Sequence, residues 1–223
     1  MKSFISLTEP LGARGIFQMA HKNIRFLFIL FLLITLGTSW IPTGQAQAIS
    51  SSMARDLPTL QDFARQIKTG KAEDLVGIYI PEVLAAQVTK QPEGNAAFVT
   101  SWPNFVTQFS DASKFGSTGL LAHNYLAGQG FSQLDKNQTF HLVHGNGTIS
   151  TFVVTEILRY QALEPNSVTS AFRDLNTGAS LTASDLFMKV YNRSGMVVFQ
   201  TCISAGGNAS CGRLFIIAEP LTI

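Results

Sequence analysis

Short apolar runs separated by turn residues dominate the chain from Thr118 onwards. Several of these runs are rich in β-branched residues, which favour strands. Gly145-Asn146-Gly147 is a strong hairpin-turn signal between two of them. Strands are predicted over residues 120–123, 139–143, 150–160, 196–200 and 214–218. At least five short strands with turns between them favour a barrel or a sandwich over a parallel α/β sheet.

The earlier part of the chain has a more mixed pattern. Between residues 57 and 68, apolar residues recur at spacings of three and four, which is typical of a helix. Residues 74–81 predict a strand that ends at a proline. Further helices are predicted around residues 103–109 and over residues 181–191, with Thr182 or Ser184 as the N-cap of the latter.

The N-terminal part of the chain has the features of a secretory signal. A short basic stretch at residues 21–25 precedes an apolar run of eleven residues, 26–36. Glycine and proline follow, and Ala46-Gln47-Ala48 supplies the small residues of a cleavage site. We therefore predict cleavage after Ala48 and an exported protein, located at the cell surface or outside the cell.

The alternative is a retained signal anchor. A membrane span needs about 20 apolar residues, so such an anchor would have to stretch beyond the eleven-residue run and cover residues 24–41. In that case the signal segment would be the protein's contact with the membrane. Met19 would make a normal start for such a signal, so translation from Met19 is a hypothesis. The predicted organisation is a signal over residues 1–48, a lead-in with a helix over 49–72, and a β domain over 73–223.

The charge of the predicted mature protein is nearly balanced. Four of the 16 basic residues and one of the 14 acidic residues precede the cleavage site, which leaves 12 against 13. A chain with no basic stripe cannot neutralise a phosphate backbone, so a nucleic-acid partner is not expected.

Three residues at predicted strand ends could carry chemistry. Cys202 follows an apolar strand, and Arg213 opens the next strand after a predicted ten-residue loop, 203–212. Strands joined by a loop of this length tend to be neighbours, so Cys202 and Arg213 are expected at the same end of the sheet. His123 follows another apolar strand. A cysteine thiolate can attack an acyl carbon, a histidine can transfer protons, and a guanidinium can stabilise an oxyanion.

Each of these residues also has a purely structural interpretation. Cys202 and Cys211 would both lie outside the cell and could form a disulfide, which would block the nucleophile. His123 could be a hydrogen-bonded histidine at a strand end, and Arg213 could form a surface ion pair.

The order and context of these residues resemble those of the sortases, the cysteine transpeptidases of bacterial cell surfaces. The matching segments are Ile78-Tyr79-Ile80-Pro81, Leu121-Ala122-His123, Phe199-Gln200-Thr201-Cys202 and the strand that Arg213 opens. The resemblance covers roughly residues 73–220. It implies a mostly β fold, a sortase-like closed barrel with a few short helices.

The resemblance also implies a function and a site. Cys202 would attack a peptide carbonyl in a sorting-type motif, His123 would protonate the leaving amine, and Arg213 would steady the oxyanion. Thr201 would help to position the substrate. An amine acceptor or water would resolve the thioester, and neither a metal nor an organic cofactor would be required.

Two alternatives remain open at this point. One is a non-catalytic exported barrel that serves as a binding or structural module, with a Cys202–Cys211 disulfide. The other follows from Ser210-Cys211-Gly212-Arg213, which is similar to the cysteine motif of L,D-transpeptidases and would move the nucleophile to Cys211.

Overall fold

Hydrogen bonds between strands that are far apart in sequence close the sheet of this protein into a barrel. The computed structural model describes residues 57–167 and 169–222. Its strands are β1 (Leu75–Ile80), β2 (Leu84–Lys90), β3 (Phe105–Phe109), β4 (Thr118–Leu121), β5 (Thr139–His144), β6 (Ile149–Ala162), β7 (Phe172–Asp174), β8 (Ser180–Leu181), β9 (Val197–Ala205) and β10 (Asn208–Pro220). Its helices are α1 (Leu60–Gln66), α2 (Ser110–Ser113), α3 (Gly128–Phe131) and α4 (Ala183–Tyr191).

Eight of the strands form the closed barrel, in the order β1-β2-β3-β4-β9-β10-β6-β5 and back to β1. The pairs β2–β3 and β4–β9 are parallel, and the other neighbours in the barrel are antiparallel. Closure leaves no free edge among these eight strands, and β7 and β8 extend the sheet beside β6. The predicted mostly β closed barrel with a few short helices is therefore confirmed.

Alternation along β9 and β10 separates two apolar cores. Val197 and Phe199 of β9 pack in the cluster that fills the barrel, together with Ile216 of β10. The residues between them, such as Val198 and Ile217, point outward into a second cluster beneath α4. A strand reverses its side-chain direction at each residue, so a pair of apolar strands can serve both cores. A third, smaller cluster lies between α1 and the barrel.

The helix α4 covers the outer core because its apolar residues recur at helical spacing. Leu186 and Val190 are four residues apart, and both are buried in the outer cluster. Thr182 is the N-cap: its hydroxyl oxygen accepts from the Asp185 backbone N–H at 3.1 Å. Of the two predicted caps, the structure therefore selects Thr182, with φ in the extended range that an N-cap residue adopts.

Two predictions about local structure are wrong. Residues 103–109 form no helix: Phe105–Phe109 is β3, which pairs in parallel with β2. Residues 203–212 are not a ten-residue loop, because β9 continues to Ala205 and β10 begins at Asn208. Their connection is a two-residue turn, Gly206-Gly207, with φ of +57° and +78°, the conformation that a type I′ hairpin requires.

The predicted signal and the Met19 start lie outside the described residues. Every helix in residues 57–167 and 169–222 falls short of the length and hydrophobicity that a bilayer-spanning segment needs.

Replacing Thr182 with alanine should destabilise the barrel domain by about 1 kcal/mol, because the Asp185 N–H at the start of α4 loses its acceptor. Urea unfolding of the variant would measure the loss. Thr182→Ser keeps the hydroxyl and is the matched control. Equal free energies of unfolding for the alanine and serine variants would show that the Thr182 cap contributes nothing to the stability of the domain.

Candidate active site

The hairpin of β9 and β10 brings Cys202 and Arg213 directly opposite each other. Their Cα atoms are register partners in the antiparallel ladder. Residues that are opposite each other in such a pair point to the same side of the sheet, so the two side chains share one face. The predicted proximity of Cys202 and Arg213 is present, although both residues lie within strands and not at strand ends as expected.

Arg213 is held by polar atoms of its own strand. Its Nη1 donates to Ser210 Oγ at 2.9 Å, to the Gly212 carbonyl at 2.9 Å and to the Ser210 carbonyl at 3.2 Å. Among the ion pairs of the described residues, none involves Arg213. The surface ion pair considered for Arg213 is thus not formed among the described residues, and Arg213 is the cross-strand partner of the half-buried Cys202.

His123 lies two residues after the end of β4, in the loop that follows this strand. The predicted strand over residues 120–123 is therefore shorter, ending at Leu121. The His123 carbonyl accepts from the Leu126 and Gly128 backbone N–H groups, which folds the loop back on itself. The His123 ring is stacked on Tyr125, with ring centroids 5.1 Å apart and planes 19° from parallel.

Hydrogen bonds tie this loop to β9 on both sides of Cys202. The Ala122 N–H donates to the Gln200 carbonyl at 3.2 Å, and the Thr201 hydroxyl donates to the Ala122 carbonyl at 2.9 Å. Beyond His123, Asn124 Nδ2 donates to Ser204 Oγ at 2.6 Å and to the Ala209 carbonyl at 3.0 Å. The structure therefore anchors the residues on either side of His123 to positions on either side of Cys202.

Thr201 has a structural role in this arrangement. Its side chain is only 2% exposed, and its hydroxyl is occupied by the Ala122 carbonyl. A Cβ at Gly128 would lie 2.3 Å from the Thr201 hydroxyl oxygen and 2.6 Å from the His123 carbonyl, so only glycine fits there. Direct contact of Thr201 with a substrate stays a prediction.

The two cysteines are free thiols with different partners. Cys202 Sγ lies 3.8 Å from Ser210 Oγ, whereas Cys211 Sγ donates to the Ile203 carbonyl at 3.2 Å. The disulfide considered from the sequence is not formed. A thiol that is bonded to a backbone carbonyl is less suited to attack, so the local contacts favour Cys202 over Cys211 as a nucleophile.

An open groove of about 620 Å³ lies on the outer face of the barrel beside Arg213. Its walls include Phe109, Phe187, Tyr191, Gln200 and Arg213. Cys202 follows Gln200 by two residues and so faces the same side of β9. The Tyr191 hydroxyl donates to Gln200 Oε1 at 2.6 Å, and burial raises the pKa of Tyr191, which keeps that donor protonated.

Several residues of the site were missed in the sequence. Ser210, Asn124 and Tyr125 were given no role, although each is adjacent to or within three residues of a predicted site residue. Their contacts depend on the hairpin and on the folded-back loop, which no spacing rule reveals. Among the described residues, no group of three or more His, Cys, Asp or Glu side chains is arranged to hold a metal ion.

Comparison with known proteins gives structural similarity at low sequence identity. No family model and no curated protein matches the chain. Sortase C1 from Streptococcus suis is 13% identical, with 73% of this chain and 79% of that chain covered and a TM-score of 0.46. Sortase A from Listeria monocytogenes is 14% identical, with 67% and 89% covered and a TM-score of 0.39. Sortase C-1 from Actinomyces oris is 18% identical, with 68% and 76% covered and a TM-score of 0.42.

Replacing Thr201 with valine should destabilise the protein by about 1–3 kcal/mol, because the buried Ala122 carbonyl loses its donor without a change in side-chain volume. Urea unfolding would measure this loss. Thr201→Ser keeps the donor and should remain close to the native stability. If the valine variant were as stable as the serine variant, the hydrogen bond between Thr201 and the Ala122 carbonyl would contribute nothing to the free energy of unfolding.

Proposed function

We propose that the protein is an exported cysteine transpeptidase or peptidase of sortase type. Cys202 is its nucleophile, His123 its proton-transfer group and Arg213 its oxyanion-stabilising group. The observation that carries the proposal is the cross-strand pair of Cys202 and Arg213, with the anchors of the His123 loop on both sides of Cys202. The motif resemblance in the same segments is an independent support.

The proposed reaction has two balanced acyl-transfer steps. The Cys202 thiolate attacks a peptide carbonyl carbon, forming a C–S bond, and the protonated His123 gives its proton to the amine as the C–N bond breaks. An incoming amine or water then attacks the thioester, returns a proton to His123 and releases the thiolate. Arg213, as a fixed cation, stabilises the oxyanion in both steps.

The groove beside Arg213 supports a peptide as the substrate class. Its wall is largely aromatic and apolar, with Gln200 and Arg213 as polar groups near Cys202. An extended peptide could bury an apolar side chain against Phe187 and Tyr191 while its backbone meets Gln200 and Arg213. A peptide or protein that carries a sorting-type motif and an amine acceptor are therefore the proposed partners.

Iodoacetamide treatment near neutral pH should label Cys202 faster than Cys211, because the proposed reaction uses Cys202 as the nucleophile while the Cys211 thiol is bonded to a backbone carbonyl. Peptide mass mapping of the mature protein, purified without reductant, would give both rates. His123→Ala should slow the labelling of Cys202. His144→Ala is the matched control, since His144 contacts Ser150 on another pair of strands.

Recovery of Cys202 and Cys211 as one linked peptide that resists mild reduction would contradict the catalytic assignment. The barrel would then be a binding or structural module.

Incubation with a library of extended peptides should add an acyl group to Cys202, because the thioester accumulates when no good amine acceptor is present. Intact mass and peptide mapping would locate the adduct, and hydroxylamine should release it as a hydroxamate. Cys202→Ala should lose the adduct and Cys211→Ala should keep it. An adduct found on Cys211 alone would move the nucleophile to that residue.

A further inference from the structure

Ser210 lies between the two residues to which we assign the central chemistry. Its hydroxyl oxygen is 3.8 Å from Cys202 Sγ and accepts from Arg213 Nη1 at 2.9 Å. In the part of the chain that the structure describes, no direct hydrogen bond joins Arg213 to the Cys202 sulfur. The Ser210 hydroxyl is therefore the contact through which the two groups are linked.

We propose that Ser210 is a positioning residue that links the Arg213 guanidinium to the Cys202 sulfur and stabilises its thiolate. This inference rests on the function proposed above. A thiolate has no proton to donate, so in the ionised form the hydroxyl is the donor to sulfur. A hydroxyl that already accepts from a cation is a stronger donor, because the two hydrogen bonds polarise each other. The thiol proton passes to the His123 imidazole, which becomes the acid for the leaving amine.

The backbone around Ser210 fixes its hydroxyl in this place. The Ser210 N–H donates to Asn208 Oδ1 at 2.8 Å, and the Ser210 carbonyl accepts from Arg213 Nη1 at 3.2 Å. Arg213 thus holds both the hydroxyl and the carbonyl of the same residue. Such a double contact limits the rotation of the guanidinium as well as that of the serine.

The arrangement also distinguishes the two thiols. Ser210 immediately precedes Cys211 in the chain, yet its hydroxyl contacts Cys202 on the neighbouring strand. Cys211 Sγ instead donates to the Ile203 carbonyl. Loss of the Ser210 hydroxyl should therefore change the reactivity of Cys202 and leave that of Cys211 unchanged.

The test is the pH profile of iodoacetamide labelling, measured separately for Cys202 and Cys211 by peptide mass mapping. Ser210→Ala should move the Cys202 profile to higher pH and slow its labelling near neutral pH by about threefold to tenfold. Ser210→Thr keeps the hydroxyl and should restore the native profile. Thr155→Val is the control for loosening of β10, because it removes a hydroxyl that bonds the Ile217 carbonyl on that strand.

A second measurement separates this role from a general structural effect. In an Arg213→Gln background, Ser210→Ala should add little further change, because the hydroxyl would no longer transmit a positive charge. Ser210→Gly, which also lacks the hydroxyl, would replace the alanine variant if that variant did not fold.

The possible failures are distinguishable. The role of Ser210 would be overturned if Cys202 were labelled faster than Cys211 but showed the same pH profile of labelling in the native protein and in Ser210→Ala. That result would leave the proposed function standing. Independent, additive effects of Arg213→Gln and Ser210→Ala would also overturn the link. The proposed function itself would be overturned if Cys202 of the native protein were labelled no faster than Cys211 and if His123→Ala left its labelling rate unchanged.

Discussion

The antiparallel pairing of β9 with β10 is the interaction on which the rest of this molecule depends. It joins Cys202 to Arg213, and its two faces supply apolar residues to the barrel interior and to the outer core beneath α4. β10 also pairs with β6 over most of its length, and this contact closes the barrel. A change of one residue in the β9–β10 register would reverse the direction of each side chain. Both cores and the candidate site would be lost together.

The sequence was sufficient to predict the strands with strong apolar character. β1, β5, β6, α1 and α4 lie close to their expected positions, because their spacing matches the period of the element that they form. β3 was mistaken for a helix: Asn104, with φ of +58°, precedes it, and its parallel pairing with β2 is a long-range contact that no local pattern reports. The polar ends of β9 and β10 were missed because ladder hydrogen bonds outweigh the weak strand propensity of serine, asparagine and glycine.

The candidate site was predictable in its principal residues but not in its support. Cys202, Arg213 and His123 could be proposed because each follows or opens an apolar run that matches a known motif order. Ser210 and Asn124 act through bonds that cross between strands or between a strand and a loop. Such bonds depend on the hairpin register, which is fixed by the two-residue turn Gly206-Gly207 and not by the ten-residue loop expected from the sequence.

Parallel pairing of β4 with β9 has a consequence for when a reactive thiol can exist. The Thr201–Ala122 bond spans 79 positions of the chain, and it requires both strands to be in place. Contacts between such distant segments form late, because closing a long loop is entropically costly. Under the proposed function, a chain whose barrel is not yet closed would therefore carry Cys202 as an ordinary cysteine. The proposed nucleophile would become reactive only when the barrel is complete, and this order would protect the folding chain from reacting with its surroundings.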